Sequence, residues 1–314
     1  MKDQRPTMMS EHIFQVDAQY AGQRLDVFLT QVLTEAPSRN FVKKLLDGGC
    51  VRVNRHQIKS HHKVREGDQV EVEFAEDLLA PKQIDPEDIP LDIFYEDHCL
   101  LVINKPAGML VHPAQGCYSG TLVNALLFHC RQLSDINGST NADLRPGIVH
   151  RLDRETSGLL VAAKDNTTHV CLARQFQKHE VRKHYLALVE GEIEFDEGVV
   201  DAPLGRHIYQ RDKVGVQYTD DAKEAVTYYR VVKRLKGVTL VDLFPKTGRT
   251  HQLRVHMSHI RHPILGDDKY GKKNNFPRLA LHAMALGFRH PETGGYIEFS
   301  CPAPKEFLEK VSGQ

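Results

Sequence analysis

Residues Gly147-Ile-Val-His-Arg-Leu-Asp-Arg-Glu-Thr-Ser-Gly158 place His150, Arg151, Asp153, Arg154 and Glu155 between two apolar runs. The run that follows, Gly158–Ala163, is short, apolar and too brief for a core helix, so it reads as a buried strand. One reading of the charged stretch is a surface loop whose arginines and acids form exposed ion pairs worth little. Charge of this density between two strands calls for another explanation, which the spacing alone does not supply.

Working outward, further strand-like runs occupy Leu100–Ile103, Tyr185–Val189, Ala225–Val232, Val238–Phe244 and Tyr296–Ser300. Helical periodicity covers Asn166–His179 and Thr250–Ile260, the latter with Leu253, Met257 and Ile260 on one face and His251, Arg254 and Ser258 on the other. No fixed repeat appears, and a mixed α+β class is expected.

Toward the amino end the pattern changes. Leu25, Phe28, Leu29, Val32 and Leu33 recur with the period of one helix face. A second helix is expected from Ser38 as N-cap to Gly48-Gly49, with Phe41, Val42, Leu45 and Leu46 inward and Arg39, Lys43 and Lys44 outward. Val51-Arg-Val53 and Gly67–Phe74 alternate as short strands, with a turn at Asn54. Between Arg39 and Arg65 the bases include Arg52 and Arg55 as well, and Asp47 is the only acid. A helix and hairpin presenting these cations suit a phosphate backbone, though a block of like charge also serves simply to solvate a surface. Glu76 to Asp97 then reverses sign and contains Pro81, Pro86 and Pro90, as a linker does.

The whole chain has 314 residues, 41% of them apolar and 26% charged, with 41 bases against 41 acids. That length suggests roughly two domains, and the composition is that of a soluble globular protein. No apolar run approaches the ~20 residues of a membrane-spanning helix, and the polar start lacks a secretory core, so a cytoplasmic address is expected. Cysteines 50, 99, 117, 130, 171 and 301 form no Cys-x-x-Cys pair, which argues against zinc and structural disulfides.

Two resemblances sharpen this reading. Gly22-Gln-Arg-Leu-Asp-Val-Phe-Leu29, Ser38-Arg39, Gly49-Cys-Val-Arg-Val-Asn54 and Gly67-Asp68 resemble the small RNA-binding domain first described in ribosomal protein S-four. The string His150–Gly158 resembles the signature of the ribosomal large-subunit type of pseudouridine synthase. Asn104-Lys-Pro-Ala-Gly108, Lys183-His-Tyr-Leu-Ala-Leu-Val189, Thr247-Gly-Arg-Thr-His-Gln-Leu-Arg-Val-His256, His262-Pro-Ile-Leu-Gly-Asp267 and Leu281-His-Ala283 occur in that family's order. Asp85–Asp97 and His112-Pro-Ala-Gln-Gly116 are most similar to its D-type branch. The resemblance implies an extension over 1–19, an S-four-like RNA-binding domain over 20–75, an acidic linker over 76–90, and a mainly antiparallel catalytic domain over 91–314.

It also implies an isomerase that converts uridines of large-subunit rRNA to pseudouridine, in the stem-loop at the subunit interface, without cofactor or metal. By resemblance Asp153 is the catalytic carboxylate, acting as a nucleophile on the anomeric carbon or as a base that yields a glycal. A nearby guanidinium favours the charged form of such a carboxylate, and Arg254 is the candidate. Tyr185 is expected to stack on the uracil, and Arg151 to fill the space left by the flipped nucleotide. Arg249 and His251 are expected to meet phosphate at a helix start, with Arg39, Lys43, Lys44, Arg52 and Arg55 as further RNA contacts. Expected partners are rRNA or an assembling subunit, bound by a monomer. A non-catalytic assembly factor and a tRNA-directed synthase remain as rivals.

Two other patterns are set aside. Gly266-Asp-Asp-Lys-Tyr-Gly271-Lys272 approximates a phosphate-binding loop, but Lys273 stands where Ser or Thr would hold a metal. His256, His259 and His262 are spaced by three, yet no His-Glu-x-x-His occurs.

Overall fold

The computed structural model describes residues 9–34, 39–59, 61–75, 84–113, 117–130, 133–134, 146–206, 210, 213–272 and 276–313. They divide into two compact units, one within 1–83 and the other from 84 onward.

The first unit contains β1 (Met9–Gln15), α1 (Leu25–Val32), α2 (Arg39–Asp47), β2 (Val51–Val53), β3 (His56–Gln57) and β4 (Gln69–Ala75). Its antiparallel sheet runs β1-β4-β2-β3. Phe28, Leu29, Val42 and Leu45 from the helices pack on Val51, Val53, Val70, Val72 and Phe74 from the strands. Both helices match the apolar periodicity, while the expected cap at Ser38 lies outside the described residues. α2 stops where Gly49 takes φ +75°, a left-handed position that favours glycine. β1 falls within the stretch read as an extension: only Ser10, His12 and Phe14 alternate inward, and two of them are polar, which hides the strand.

The second unit contains β5 (Ile93–Glu96), β6 (Leu100–Lys105), α3 (Leu122–His129), β7 (Ser157–Ala163), α4 (Asn166–Gln177), β8 (Arg182–Glu190), β9 (Glu197–Asp201), β10 (Leu204–Arg206), β11 (Val214–Val216), β12 (Val226–Leu235), β13 (Val238–Pro245), α5 (Gln252–His259), β14 (Leu281–Arg289), β15 (Tyr296–Ser300) and α6 (Lys305–Ser312). β10 and β11 form a separate ribbon, and the other strands make a nine-stranded sheet, β5-β6-β7-β14-β8-β13-β12-β9, with β15 on β14. The expected α+β architecture is the one observed, antiparallel except where β14 meets β7.

Strands β6 and β7 show why their sequences are unbroken apolar runs. Leu100, Val102, Leu159 and Val161 enter one core with Leu172 of α4. Leu101, Ile103, Leu160 and Ala162 enter another with Leu122 and Leu126 of α3. Both faces are covered, so no polar alternation survives. The second half of the expected linker is also anchored: Asn124 Nδ2 donates to Asp85 O at 2.8 Å, and Gly120 N–H donates to the Glu87 carboxylate at 3.0 Å.

At the entry to β7, Gly158 takes φ +112° and pairs with Ala283, where an added Cβ would lie 2.3 Å from the Ala283 carbonyl oxygen. Only glycine admits this approach. It fixes where the loop carrying Asp153 leaves the sheet.

Candidate active site

That loop is tied down from below. Lys105, fully buried at the end of β6, donates to the carbonyls of Pro106 (2.7 Å), Met109 (2.9 Å) and Arg154 (3.2 Å). Burial brings its ammonium down to about 8, against the opposing pull of Glu155 and Asp153. Gly108 N–H donates to Arg154 O at 2.8 Å, and Arg154 Nε donates back to Gly108 O at 2.9 Å. His150 stacks on Phe176 at 4.4 Å and accepts the Val161 N–H at 3.0 Å. Burial, aided by the charge of Lys183, holds its imidazole down to about 3, so it is a neutral anchor at physiological pH. The surface-loop reading fits the exposed Arg154–Glu155 pair at 3.6 Å and the exposed Arg151, but not His150 or Asp153.

So held, Asp153 faces the start of α5. Its Oδ2 is 3.4 Å from Arg254 Nη1 and 4.0 Å from His251 Nε2. Arg254 grips the fully buried Asp267 as a fork, Nε to Oδ2 and Nη2 to Oδ1 both at 2.7 Å, the geometry that a planar guanidinium favours. Burial works against the Arg254 charge, but Asp267 and Asp153 outweigh it and hold the group above its ordinary value. Asp267 Oδ1 also accepts the Lys269 and Tyr270 N–H groups at 3.0 and 3.1 Å. The Tyr270 ring lies 5.1 Å under the Arg254 guanidinium.

The helix expected from Thr250 begins at Gln252, because His251 is left-handed at φ +55°. Gln252 fixes that corner: its Oε1 accepts Thr247 Oγ1–H at 2.7 Å and Arg249 N–H at 3.0 Å, while its Nε2 donates to Val226 O at 3.0 Å. The helix is buried on more than one side, since His256 is fully buried, 3.0 Å from Ala202 O and 2.9 Å from Thr227 Oγ1. His262 Nδ1 lies 2.8 Å from Glu190 O, and among the described residues His256, His259 and His262 do not come together as a closely spaced group of ligand atoms. Another group, Asp97, Cys99 and His290, is closely spaced. His290 Nδ1 accepts the Glu292 and Thr293 N–H groups at 3.3 Å, which leaves Nε2–H to donate to Asp97 at 2.8 Å, a staple with its donors in use.

Arg151, Asp153, Lys183, Tyr185, Arg249, His251 and Arg254 all line one cavity of about 530 Å³. Asp153 is the only carboxylate among the lining residues, against four cations, Arg151, Lys183, Arg249 and Arg254. An anionic ligand suits that balance. Lys183 and Tyr185, two apart on β8, share a face. Lys183 donates to Thr247 O at 3.0 Å, and burial with the nearby Arg249 charge brings it down to about 8. Burial, and then the Asp153 charge, push the Tyr185 phenol well above its usual range, so it stays protonated.

A family model described as RNA pseudouridylate synthase matches residues 99–259 of the chain, and an S4 domain model matches residues 23–70. An uncharacterized RNA pseudouridine synthase of Bacillus subtilis is 45% identical over 92% of this chain and 93% of its own. Ribosomal large subunit pseudouridine synthase D of Zymomonas mobilis is 44% identical over 91% of this chain and 92% of its own. Among solved structures, human RNA pseudouridylate synthase domain containing 1 superposes with a TM-score of 0.58 at 27% identity, over 73% of this chain and 89% of that one. The chain belongs to the RNA pseudouridine synthase family. It is therefore an isomerase acting on RNA, with an S4 domain in front.

Within this pseudouridine synthase, the remaining expected RNA contacts lie in the S4 unit and are not grouped together. Lys43 and Lys44 are exposed on α2, and Arg55 is exposed in the turn between β2 and β3. Arg52 projects from the opposite face of the sheet, beside Glu11, Glu71 and Glu73. The Arg39 side chain lies outside the described residues. Two synthase site residues escaped the sequence reading. Asp267 was visible only as the end of a motif without a role, and Tyr270 belonged to the loop set aside as a phosphate-binding decoy. No helix among the described residues is long and apolar enough to cross a membrane.

Proposed function

We propose that this synthase isomerises uridines of large-subunit rRNA, with Asp153 as the carboxylate that acts on the sugar. The observation that carries this reading is Asp153 at 3.4 Å from a guanidinium that Asp267 holds in place, inside a cavity whose other charges are cationic. The reaction breaks the bond from the anomeric carbon to N1, turns the uracil, joins C5 to the anomeric carbon, and releases the C5 proton while N1 gains one. Asp153 either attacks the anomeric carbon or removes the neighbouring sugar proton. Tyr185, protonated and facing the same cavity, supports the uracil face while the base turns. Arg151, exposed at the rim, fills the position vacated when the nucleotide swings outward. Arg249 and Lys183 take the phosphate.

Relatives named ribosomal large subunit pseudouridine synthase D support this substrate class. The D-type motifs favour the stem-loop at the subunit interface, in free rRNA or in an assembling subunit. The S4 domain adds affinity through Lys43, Lys44 and Arg55, and Arg39 is kept as an expected contact from the sequence. Arg52, set among glutamates, is the weakest of the expected contacts. The proposed setting is the cytoplasm, and the proposed working form is a monomer without cofactor.

The test incubates purified protein with rRNA carrying tritium at uracil C5 and follows tritium release. Wild type should release it and Asp153→Asn should not, with RNA affinity retained. Turnover by Asp153→Asn would remove Asp153 from the chemistry. Silence of wild type on rRNA, assembling subunits and tRNA, with binding intact, would favour a non-catalytic assembly factor.

A further inference from the structure

His251 was expected to meet phosphate, but its geometry ties it to the carboxylate. Its Nδ1 lies 2.7 Å from the Tyr270 hydroxyl, and its Nε2 lies 4.0 Å from Asp153 Oδ2. The Tyr270 oxygen accepts the Val214 N–H at 3.1 Å, and its own O–H proton can then be donated to Nδ1. A neutral imidazole whose Nδ1 accepts must carry its proton on Nε2, the atom that faces Asp153. We infer that His251 is a positioning residue for Asp153: a neutral imidazole, locked by Tyr270 with its proton on Nε2, that aims this N–H at the carboxylate. This inference rests on the reading of Asp153 given above.

Three further observations agree with it. The left-handed φ of +55° at His251 is uncommon for a residue with a side chain, and strain of this kind gathers at functional sites. Burial lowers the imidazole first and foremost. Among the groups facing it, Arg254 and Lys269 add to that effect, and Asp153 and Asp267 oppose it. The loop that supplies Tyr270 also supplies Asp267, so one segment holds both neighbours of Asp153. The 4.0 Å gap is longer than a hydrogen bond; a water can bridge it, or substrate can close it, as contacts in unliganded sites commonly tighten on binding.

The consequence is directional. A neutral donor steadies Asp153 on the line to the sugar while leaving its charge available. An imidazolium would hold it more strongly and would also deprive Tyr270 of its acceptor. Turnover should therefore fall on the acid side as His251 takes a second proton.

The experiment uses the full chain. Nitrogen-15 spectra of histidine-labelled wild type, with the His251 signals assigned by their loss in His251→Gln, should show a bare Nδ1 and a protonated Nε2. In Tyr270→Phe the two tautomers should mix. A proton on Nδ1 in wild type would overturn the inference. In the tritium assay, His251→Asn tolerates the left-handed backbone but is too short to reach Asp153, and should lose roughly tenfold in kcat with little change in KM. His251→Gln, which reaches with a donor that does not titrate, should recover several-fold over Asn and lose the histidine part of the acid limb. If wild type releases tritium and His251→Asn matches it, this inference alone fails. If wild type releases none on any RNA, the Asp153 reading fails first and takes this one with it.

Discussion

The fork between Arg254 and Asp267 is what gives Arg254 a fixed place from which to face Asp153. Asp267 is fully buried and Arg254 is 12% exposed, so removing one partner leaves a charge with little water to replace it. Asp267→Asn should lower unfolding stability by about 3 kcal/mol. It should also reduce tritium release by at least about tenfold, because the freed guanidinium no longer holds its distance from Asp153. Urea unfolding and the release assay read the two effects separately, and a variant matching wild type in both would deny Asp267 this role. Lys183 carries a second expectation. Its ammonium, brought down to about 8 by burial and by Arg249, is charged below that pH and neutral above it. If it takes phosphate, RNA affinity must fall as pH rises through about 8, and Lys183→Met should flatten that fall. An alkaline limb of equal size in the variant would place the titrating group elsewhere.

Elements were legible where one local rule sufficed. α1 and α2 follow from a single apolar face, and β6, β7, β8 and β13 follow from short apolar runs. β14 was visible only as Leu281-His-Ala283, because a strand that pairs with β7, β8 and β15 along different parts of its length owes its form to partners distant in sequence. The same reason limits the site. Asp153, Tyr185 and Arg254 were reached by resemblance and lie within the matched residues 99–259, whereas Asp267 and Tyr270 lie beyond them. Their roles arise only when the loop after α5 folds back on that helix. The β7–β14 junction also makes a stability prediction. His282, buried opposite Ser157, lies 2.9 Å from Ser157 Oγ and 3.1 Å from Cys301 Sγ. Burial first, then the Arg278 charge, lower its imidazole from 6.5 to about 4. Between those values the unfolded chain binds a proton that the native chain refuses. The His282 contribution is thus complete above about pH 6.5 and is lost as pH falls toward about 4, by roughly 1 kcal/mol per pH unit. Urea midpoints at pH 7, 6 and 5 should show this fall, and His282→Asn should show a shallower one. Equal slopes would assign the acid sensitivity to other groups.

On the scale of the molecule, 41 bases and 41 acids cancel, so attraction to RNA must come from where charge is concentrated. One concentration lines the Asp153 cavity, and the other runs from Arg39 to Arg65, where Asp47 is the only acid. Within the S4 domain the sheet separates these charges by face. Lys43 and Lys44 project from α2 into solvent, whereas Arg52 shares the open side of the sheet with Glu11, Glu71 and Glu73. Phosphate repelled by those glutamates should choose the helical side. Each phosphate neutralised by a lysine releases condensed counterions and contributes about 0.7 to 0.9 to the slope of log affinity against log salt. Changing Lys43 and Lys44 together to Gln should therefore weaken rRNA binding and flatten that slope by about 1 to 2. Arg52→Gln should alter it by less than either lysine does alone. Filter binding of wild type and the variants across a salt series measures the slopes directly. A double lysine variant with the wild-type slope would remove α2 from the RNA contact, and a larger effect from Arg52→Gln would move that contact to the sheet.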